Sequence, residues 1–124
     1  MYRIIHFEIP SDDPERCMKF YGKVFGWEYS RWGEQPYWLV KTGEDDEPGI
    51  NGAITRRKDP AQPIINTIEV KDLDQTIRSI EEEHGEIVVP KMTIPTIGFV
   101  AYFKDPDGNV SAILQPDANA SRNT

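Results

Sequence analysis

The chain has 124 residues, of which 38% are hydrophobic and 28% charged, a balance typical of one folded domain and too polar for a membrane-embedded protein. Its 14 Lys and Arg against 21 Asp and Glu give a net charge of −7, which disfavours a nucleic-acid partner because it repels phosphate backbones. A single cysteine, Cys17, excludes an internal disulfide and a multi-cysteine metal site. With no long apolar run, the chain is expected to be cytoplasmic and to have no membrane partner.

Alternation and turn residues predict the elements of the first half. Apolar and polar residues alternate from Arg3 to Ile9, which indicates a strand with one covered face. Asp13 and Pro14 then suit the N-cap and first position of a helix, and Gly26 suits its C-terminal cap. Three more strands are predicted, at Trp27–Trp32, Tyr37–Lys41 and Ile50–Arg56.

The predicted first helix carries an apolar stripe. Cys17, Phe20, Tyr21 and Val24 recur at helical spacing, as on a helix that covers a core. This position predicts a buried structural thiol at Cys17 rather than a reactive one.

The second half repeats the order of the first. After a proline-punctuated connector, 58–63, come a strand, a helix between Asp72 and Gly85, and three strands. The strands are predicted at Ile64–Val70, Ile87–Val89, Phe99–Phe103 and Val110–Leu114, with a turn at 105–108. The repeat predicts one domain, 1–116, made of two pseudo-symmetric modules at about 2–57 and 63–116, followed by a flexible polar tail, 117–124.

Three sequence words in this order resemble the vicinal oxygen chelate superfamily, which includes glyoxalase I, bleomycin and fosfomycin resistance proteins and extradiol dioxygenases. The words are His6-Phe7-Glu8-Ile9, Phe20-Tyr21-x-x-Val24-Phe25-Gly26-Trp27 and Asp105-Pro106-Asp107-Gly108-Asn109. The resemblance covers about Tyr2 to Gln115. It implies an α+β fold in which two βαβββ modules form curled mixed sheets around a shared cup, and it suggests a homodimer.

The resemblance also implies where a metal would be held. In metal-dependent members, a divalent ion is bound by side chains on the first and last strands of each half. The matching places here are His6, Ala53, Ala112 and, on the fifth strand, Thr67, or Ile65 if the register slips by one pair. Only the imidazole is a good ligand, and a divalent ion needs several converging donors. We therefore expect no cofactor and no metal of the usual kind, with an atypical divalent-metal site as the alternative.

Three titratable residues are the candidates for acid–base chemistry. His6 and Glu8 alternate with the apolar residues of the first strand, and Thr67 and Glu69 hold equivalent positions in the second half. An imidazole beside carboxylates can transfer protons if burial raises the pKa of a glutamate toward neutral pH. The alternative is that His6 is a hydrogen-bonded cup residue, with Glu8 and Glu69 in solvent.

Aromatic residues near the sheet, among them Trp32, Tyr37 and Phe99, are candidates to wall a pocket, although packing between halves or subunits would also explain them. The pocket residues predicted are His6, Glu8, Trp38, Asn51, Ala53, Thr55, Thr67, Glu69, Tyr102 and Ala112. The sequence thus predicts a protein that binds a small organic molecule in the cup without a metal. One alternative is a lyase or isomerase with an atypical metal site or with acid–base catalysis by His6. The other is a non-catalytic interaction or regulatory module.

Overall fold

The computed structural model describes residues 2–120, which divide into two compact units. The first unit comprises Ile5–Ile65, and the second comprises Asn66–Ala120 together with Tyr2–Ile4. None of the described helices combines the length and the apolar character that crossing a bilayer would require.

The first unit contains one helix and a four-stranded mixed sheet. Its elements are β1 (Ile4–Ser11), α1 (Pro14–Phe25), β2 (Glu28–Arg31), β3 (Tyr37–Lys41) and β4 (Gly52–Arg56). The strand order is β2-β3-β4-β1, in which β1 and β4 are parallel and the other pairs are antiparallel.

Helix α1 begins and ends where its capping residues predict. The Asp13 carboxylate accepts the backbone N–H of Arg16 at 3.2 Å, and Pro14 occupies the first helical position. Gly26 has a φ of 77°, and its N–H donates to the carbonyl of Gly22. Both predicted ends are confirmed.

The second unit repeats the arrangement of the first. Its elements are β5 (Ile65–Glu69), α2 (Leu73–Glu82), β6 (Glu86–Ile94), β7 (Gly98–Lys104) and β8 (Val110–Pro116). The strand order is β5-β8-β7-β6, with β5 and β8 parallel and the other pairs antiparallel. The predicted α+β architecture of two βαβββ modules is confirmed.

The end of α2 differs from the prediction that Gly85 closes it. The left-handed residue is His84, with a φ of 72°. Gly85 meets another requirement, because a Cβ placed there would lie 2.6 Å from Cγ2 of Ile80. Close approach of the turn to the helix, not backbone handedness, therefore accounts for this glycine.

The core of the second unit lies between α2 and one face of its sheet. Four fully covered residues form its centre: Val70, Leu73, Ala101 and Ile113. Partly buried side chains from α2 and the strands pack around them: Ile68, Ile77, Ile80, Phe99 and Phe103. In the first unit, Val40 and Ile54 are buried in the sheet.

The apolar stripe predicted on α1 is not covered as expected. Phe20 and Val24 are each 57% exposed, whereas Tyr21 is half-buried and stacks on Trp27 with ring centroids 4.7 Å apart. Cys17 is half-buried rather than buried, and burial raises the pKa of its thiol. The helical period locates an apolar stripe but does not tell which side of it meets the sheet.

Residues 117–120, at the start of the tail predicted as 117–124, make backbone hydrogen bonds to the loop before β7. The N–H of Asp117 donates to the carbonyl of Ile97, and the N–H of Thr96 donates to the carbonyl of Ala120. Ala120 is buried, at 5% exposure. The rest of the predicted tail, residues 121–124, lies outside the described residues.

Candidate functional site

One face of the first unit's sheet gathers the predicted polar residues of β1. Glu8 pairs with Ala53, and Ala53 pairs with Leu39, so these three side chains share a face. We call this surface the His6 face; by strand alternation and register it comprises His6, Glu8, Tyr37, Leu39, Ala53 and Thr55. The opposite face holds Phe7, whose ring contacts Trp27 at 5.8 Å between centroids. The predicted separation of His6 and Glu8 from the apolar side of β1 is confirmed.

A hydrogen bond of 2.8 Å joins Nε2 of His6 to the hydroxyl of Tyr37. The two rings are nearly parallel, with an interplanar angle of 12°. His6 is on β1 and Tyr37 on β3, so the contact passes over β4. There the side chain of Ala53 is a single methyl group with no exposed surface, which leaves room for both rings above it.

Burial decides the charge of His6. It lowers the pKa of the imidazole below its usual value of 6.5, and the carboxylate of Glu8 opposes this shift by a smaller amount. The ring is therefore neutral at pH 7, with one nitrogen a donor and the other an acceptor. A neutral imidazole can bind an uncharged polar group or accept a proton.

Thr55 positions the strand that carries Tyr37. Its hydroxyl donates to the carbonyl of Pro36 at 3.3 Å, and the N–H of Arg56 donates to the same carbonyl at 3.1 Å. Because Pro36 immediately precedes Tyr37, these two bonds fix the start of β3 against β4. Thr55 is 9% exposed, so its main contribution to the His6 face is to fix the position of β3 against β4.

Two predicted pocket residues of this unit lie away from the His6 face. Trp38 pairs with Ile54 on the other side of the sheet, and the guanidinium of Arg31 lies 5.1 Å from its ring centroid. Asn51 precedes β4 in a loop, where its side-chain oxygen accepts the N–H of Thr42 at 2.9 Å. Neither side chain joins His6 and Glu8, because the register and the loop place them elsewhere.

The second unit has an equivalent face. Thr67 pairs with Ala112, which pairs with Tyr102, while Glu69 pairs with Leu114 on the same side. Thr67 and Ala112 are buried, and Glu69 is exposed. A cavity of about 340 Å³ lies at the ends of β5 and β8, lined by Tyr2, Glu69, Val70, Lys71, Gln115 and Pro116.

The predicted pocket residues lack two members of the His6 face, Leu39 and the hydrogen-bonding Tyr37. Sequence reasoning groups Tyr37 with the aromatic residues near the sheet but not with His6. A contact between side chains on two strands that are separated by a third strand produces no pattern in the local sequence. The alternation of side chains along β3 puts Tyr37 and Leu39 on one face, and this is the sequence feature that points to Tyr37.

A family model described as Glyoxalase/Bleomycin resistance protein/Dioxygenase superfamily matches residues 3–113. The chain belongs to this superfamily. The match covers both βαβββ modules and confirms the family that the three sequence words resemble.

Two relatives that differ in length are similar in sequence to this chain. A glyoxylase-like domain-containing protein of Didymella fabae is 27% identical over 117 residues, with 90% of this chain and 91% of the relative covered. The protein CFP32 of Mycobacterium bovis is 25% identical over 121 residues, which are 91% of this chain but 44% of CFP32. The chain thus spans under half the length of that second relative.

Solved structures share the fold at low sequence identity. A superfamily member from Vibrio splendidus 12B01 aligns with a TM-score of 0.68 and 15% identity, over 93% of this chain and 99% of the other. Methylmalonyl-CoA epimerase from Mycobacterium tuberculosis aligns with a TM-score of 0.65 and 15% identity, over 92% and 87%. At this identity the likeness concerns the fold alone.

The residues present do not fit the divalent ion of the metal-dependent superfamily members. Ala53 and Ala112, at two of the four ligand places, have methyl side chains with 0% and 1% exposure. Thr67 at the third place offers a buried hydroxyl, and only His6 offers a strong donor. Across residues 2–120, no group of three or more His, Cys, Asp or Glu is arranged to hold a metal.

Proposed function

We propose that this superfamily member binds a small organic molecule on the His6 face by hydrogen bonds and apolar contact, without a divalent ion. The observation that supports this most is the pairing of a neutral, half-buried imidazole with a tyrosine hydroxyl above an alanine. The methyl group of Ala53 lets the two rings meet above β4, at a place where a metal ligand would have a larger side chain.

The proposed binding mode follows from the chemistry of the face. His6 and Tyr37 together offer a donor and an acceptor, and the carboxylate of Glu8 attracts a hydrogen-bond donor or a cation. Leu39 supplies the apolar part, beside the two rings that cover Ala53. Such a combination of an apolar wall and a few polar groups is what holds small molecules in protein sites. By the same reasoning we propose ligand contact for Thr67, Glu69, Tyr102 and Ala112 on the equivalent face of the second unit.

Calorimetry tests the metal-free part of the proposal. Metal-stripped protein is titrated with Ni²⁺, Zn²⁺, Co²⁺ and Mn²⁺, beside His6→Ala and the matched control His84→Ala, which changes an exposed histidine. We expect no stoichiometric binding by any of the three proteins. One-to-one binding that His6→Ala abolishes and His84→Ala keeps would contradict the proposal and favour an atypical metal site.

A thermal-shift screen with aromatic and cationic organic compounds tests the binding part. A compound at 100 times its dissociation constant stabilises the folded state by about 2.7 kcal/mol. We expect such a compound to lose its effect in His6→Ala and to keep it in His84→Ala. If every compound that stabilises the protein acts equally on both variants, the His6 face is not the binding site.

A second candidate function is acid–base catalysis by His6. The favouring observation is that the imidazole, neutral and hydrogen-bonded to Tyr37, lies close enough to Glu8 for the carboxylate to influence its pKa. A neutral imidazole in such a setting is suited to accept a proton from a carbon or oxygen acid. The enzyme would then be a lyase or isomerase of the glyoxalase-like type.

Deuterium incorporation separates catalysis from simple binding. The first substrate to test is methylmalonyl-CoA, on which one structural neighbour acts. If the protein is a catalyst for this class, NMR in D₂O shows enzyme-dependent exchange of the C–H proton, and His6→Ala lowers the rate by orders of magnitude. Exchange that His6→Ala leaves unchanged would rule out His6 as the base.

A further inference from the structure

The cavity at the ends of β5 and β8 is a candidate for a second binding site. We call it the β5–β8 cavity, and it is lined by Tyr2, Glu69, Val70, Lys71, Gln115 and Pro116. Its volume of about 340 Å³ is at the lower end of the range for small-molecule sites in proteins. All six residues belong to the second unit, so the cavity is a feature of one folded module.

Backbone hydrogen bonds hold the walls of the cavity in place. The N–H of Val70 donates to the carbonyl of Leu114 at 2.8 Å, and the N–H of Glu69 donates to the carbonyl of Arg3 at 2.9 Å. The second bond keeps the segment that carries Tyr2 beside β5. Walls that are fixed before a ligand arrives lose less conformational entropy when it binds.

Gln115 brings hydrogen-bond donors to the cavity. Its side-chain oxygen Oε1 accepts the N–H of Leu73, the first residue of α2, at 2.8 Å. Because a backbone N–H can donate only to the oxygen of an amide, this bond fixes which end of the side chain faces the helix. The N–H groups on Nε2 have no acceptor among residues 2–120. They are available to an acceptor on a ligand, such as a carboxylate oxygen.

Two opposite charges line the cavity without forming a pair. Glu69 and Lys71 are both exposed, and neither forms an ion pair with another described residue. A carboxylate and an ammonium that border one cavity, and do not meet each other, can each meet a group of opposite charge on a ligand.

These charges restrict the class of ligand. A purely anionic molecule would meet the carboxylate of Glu69 in a chain of net charge −7. A purely cationic molecule would meet the ammonium of Lys71. A zwitterion satisfies both side chains, because each of its charges can face the side chain of opposite sign.

The remaining wall of the cavity is apolar. The ring of Tyr2 is 58% exposed, Pro116 is also exposed, and Val70 is buried behind them. A tyrosine ring at the mouth of a cavity favours a ligand that carries a ring of its own, since aromatic pairs gain free energy beyond that of the area they bury.

We propose that the β5–β8 cavity binds an amino acid with an aromatic side chain. Lys71 and the Nε2 donors of Gln115 hold its carboxylate, and Glu69 holds its ammonium. Its ring packs against Tyr2 and Pro116. The inference does not rest on the proposed function of the His6 face. The cavity shares only Glu69 with the equivalent face of the second unit.

Calorimetry with L-phenylalanine tests the proposal. We expect one-to-one binding with a dissociation constant of about 1 mM or below. The matched probes are 3-phenylpropionate, which lacks the ammonium, and 2-phenylethylamine, which lacks the carboxylate. Each should bind at least about tenfold more weakly than L-phenylalanine, because it leaves one charge of the cavity without a partner.

Two charge-removing variants assign the groups of the ligand. Lys71→Gln should raise the dissociation constant of L-phenylalanine at least about tenfold and should not weaken the binding of 2-phenylethylamine. Glu69→Gln should weaken L-phenylalanine to a similar degree and should not weaken 3-phenylpropionate. The control Lys58→Gln removes the same charge from an exposed lysine in the connector and should leave all three dissociation constants unchanged.

Gln115→Glu separates a contact with the ligand from a structural role. The variant keeps an oxygen for the N–H of Leu73 but replaces the Nε2 donors with an acceptor that repels a carboxylate. L-phenylalanine should bind at least about tenfold more weakly, while urea denaturation shows that the variant is folded. Gln62→Glu is the matched control, since Oε1 of Gln62 also accepts a backbone N–H, from Lys58 at 2.8 Å.

Three results would overturn the proposal. L-phenylalanine that does not bind at millimolar concentrations has no site in this cavity. Binding of 3-phenylpropionate or 2-phenylethylamine that equals that of L-phenylalanine would mean that the two charges do not select a zwitterion. Binding that His6→Ala abolishes and Lys71→Gln leaves intact would place the amino acid on the His6 face.

Discussion

His6 and Tyr37 form a hydrogen bond of 2.8 Å although β4 separates their strands. This side-chain bond links β3 to β1 above the methyl group of Ala53, in addition to the backbone hydrogen bonds that each strand makes with β4. It therefore has a structural consequence besides its place on the proposed binding face.

Replacing Tyr37 with Phe should lower the free energy of unfolding by about 1 kcal/mol, because a half-buried hydrogen bond is lost and the imidazole keeps a polar atom without that partner. Urea denaturation measures the difference. Tyr2→Phe is the matched control, since it removes the same hydroxyl from a side chain that is 58% exposed. Equal effects of the two substitutions would mean that the His6–Tyr37 bond contributes nothing to stability.

The titration of His6 should make the protein less stable in mild acid. Its pKa in the folded state lies below the usual 6.5, so between these two values the unfolded chain binds more protons than the folded one. Stability then rises with pH across this window, and the full loss is present below the folded-state pKa. NMR titration of the imidazole should give a pKa below 6.5. His6→Gln should flatten the dependence of unfolding free energy on pH near 6, and an unchanged dependence would contradict this explanation.

Features set by neighbouring residues could be predicted from the sequence. The ends of α1 follow from Asp13, Pro14 and Gly26, whose preferences act within one turn. The placement of His6 and Glu8 on one face follows from the two-residue period of a strand. These predictions needed no knowledge of which elements pack together.

Features set by packing between distant segments could not be predicted. The contact of His6 with Tyr37 depends on strand order and on the size of Ala53, and neither appears as a local pattern. Its aromatic ring makes Trp38 a pocket candidate in the sequence, but the register turns it to the other face. The exposure of Phe20 has the same origin, since periodicity cannot show that an apolar stripe is wider than the sheet beneath it.

Tyr29 should tolerate loss of its hydroxyl, in contrast to Tyr37. Among the described residues its hydroxyl oxygen is buried and has no hydrogen-bond partner, and burial raises its pKa. A buried polar group without a partner costs free energy, so Tyr29→Phe should leave stability unchanged or raise it by about 1 kcal/mol. Urea denaturation of Tyr29→Phe beside Tyr37→Phe should give effects of opposite sign or clearly different size. A loss of 1 kcal/mol or more in Tyr29→Phe would show that the hydroxyl has a partner in solution.

Two glycines should respond oppositely to substitution by alanine. At Gly85 a Cβ would lie 2.6 Å from Cγ2 of Ile80 and 3.1 Å from the carbonyl oxygen of Lys104, so the turn after α2 must shift. We expect Gly85→Ala to lower the free energy of unfolding by about 1–3 kcal/mol, as overpacking usually does. At Gly22, inside α1, the nearest atoms lie 3.5 Å away, at an ordinary contact distance, and alanine favours helix by about 1 kcal/mol over glycine. Gly22→Ala should therefore be neutral or stabilising in urea denaturation. If both variants lose stability equally, close packing against Ile80 is not what requires glycine at position 85.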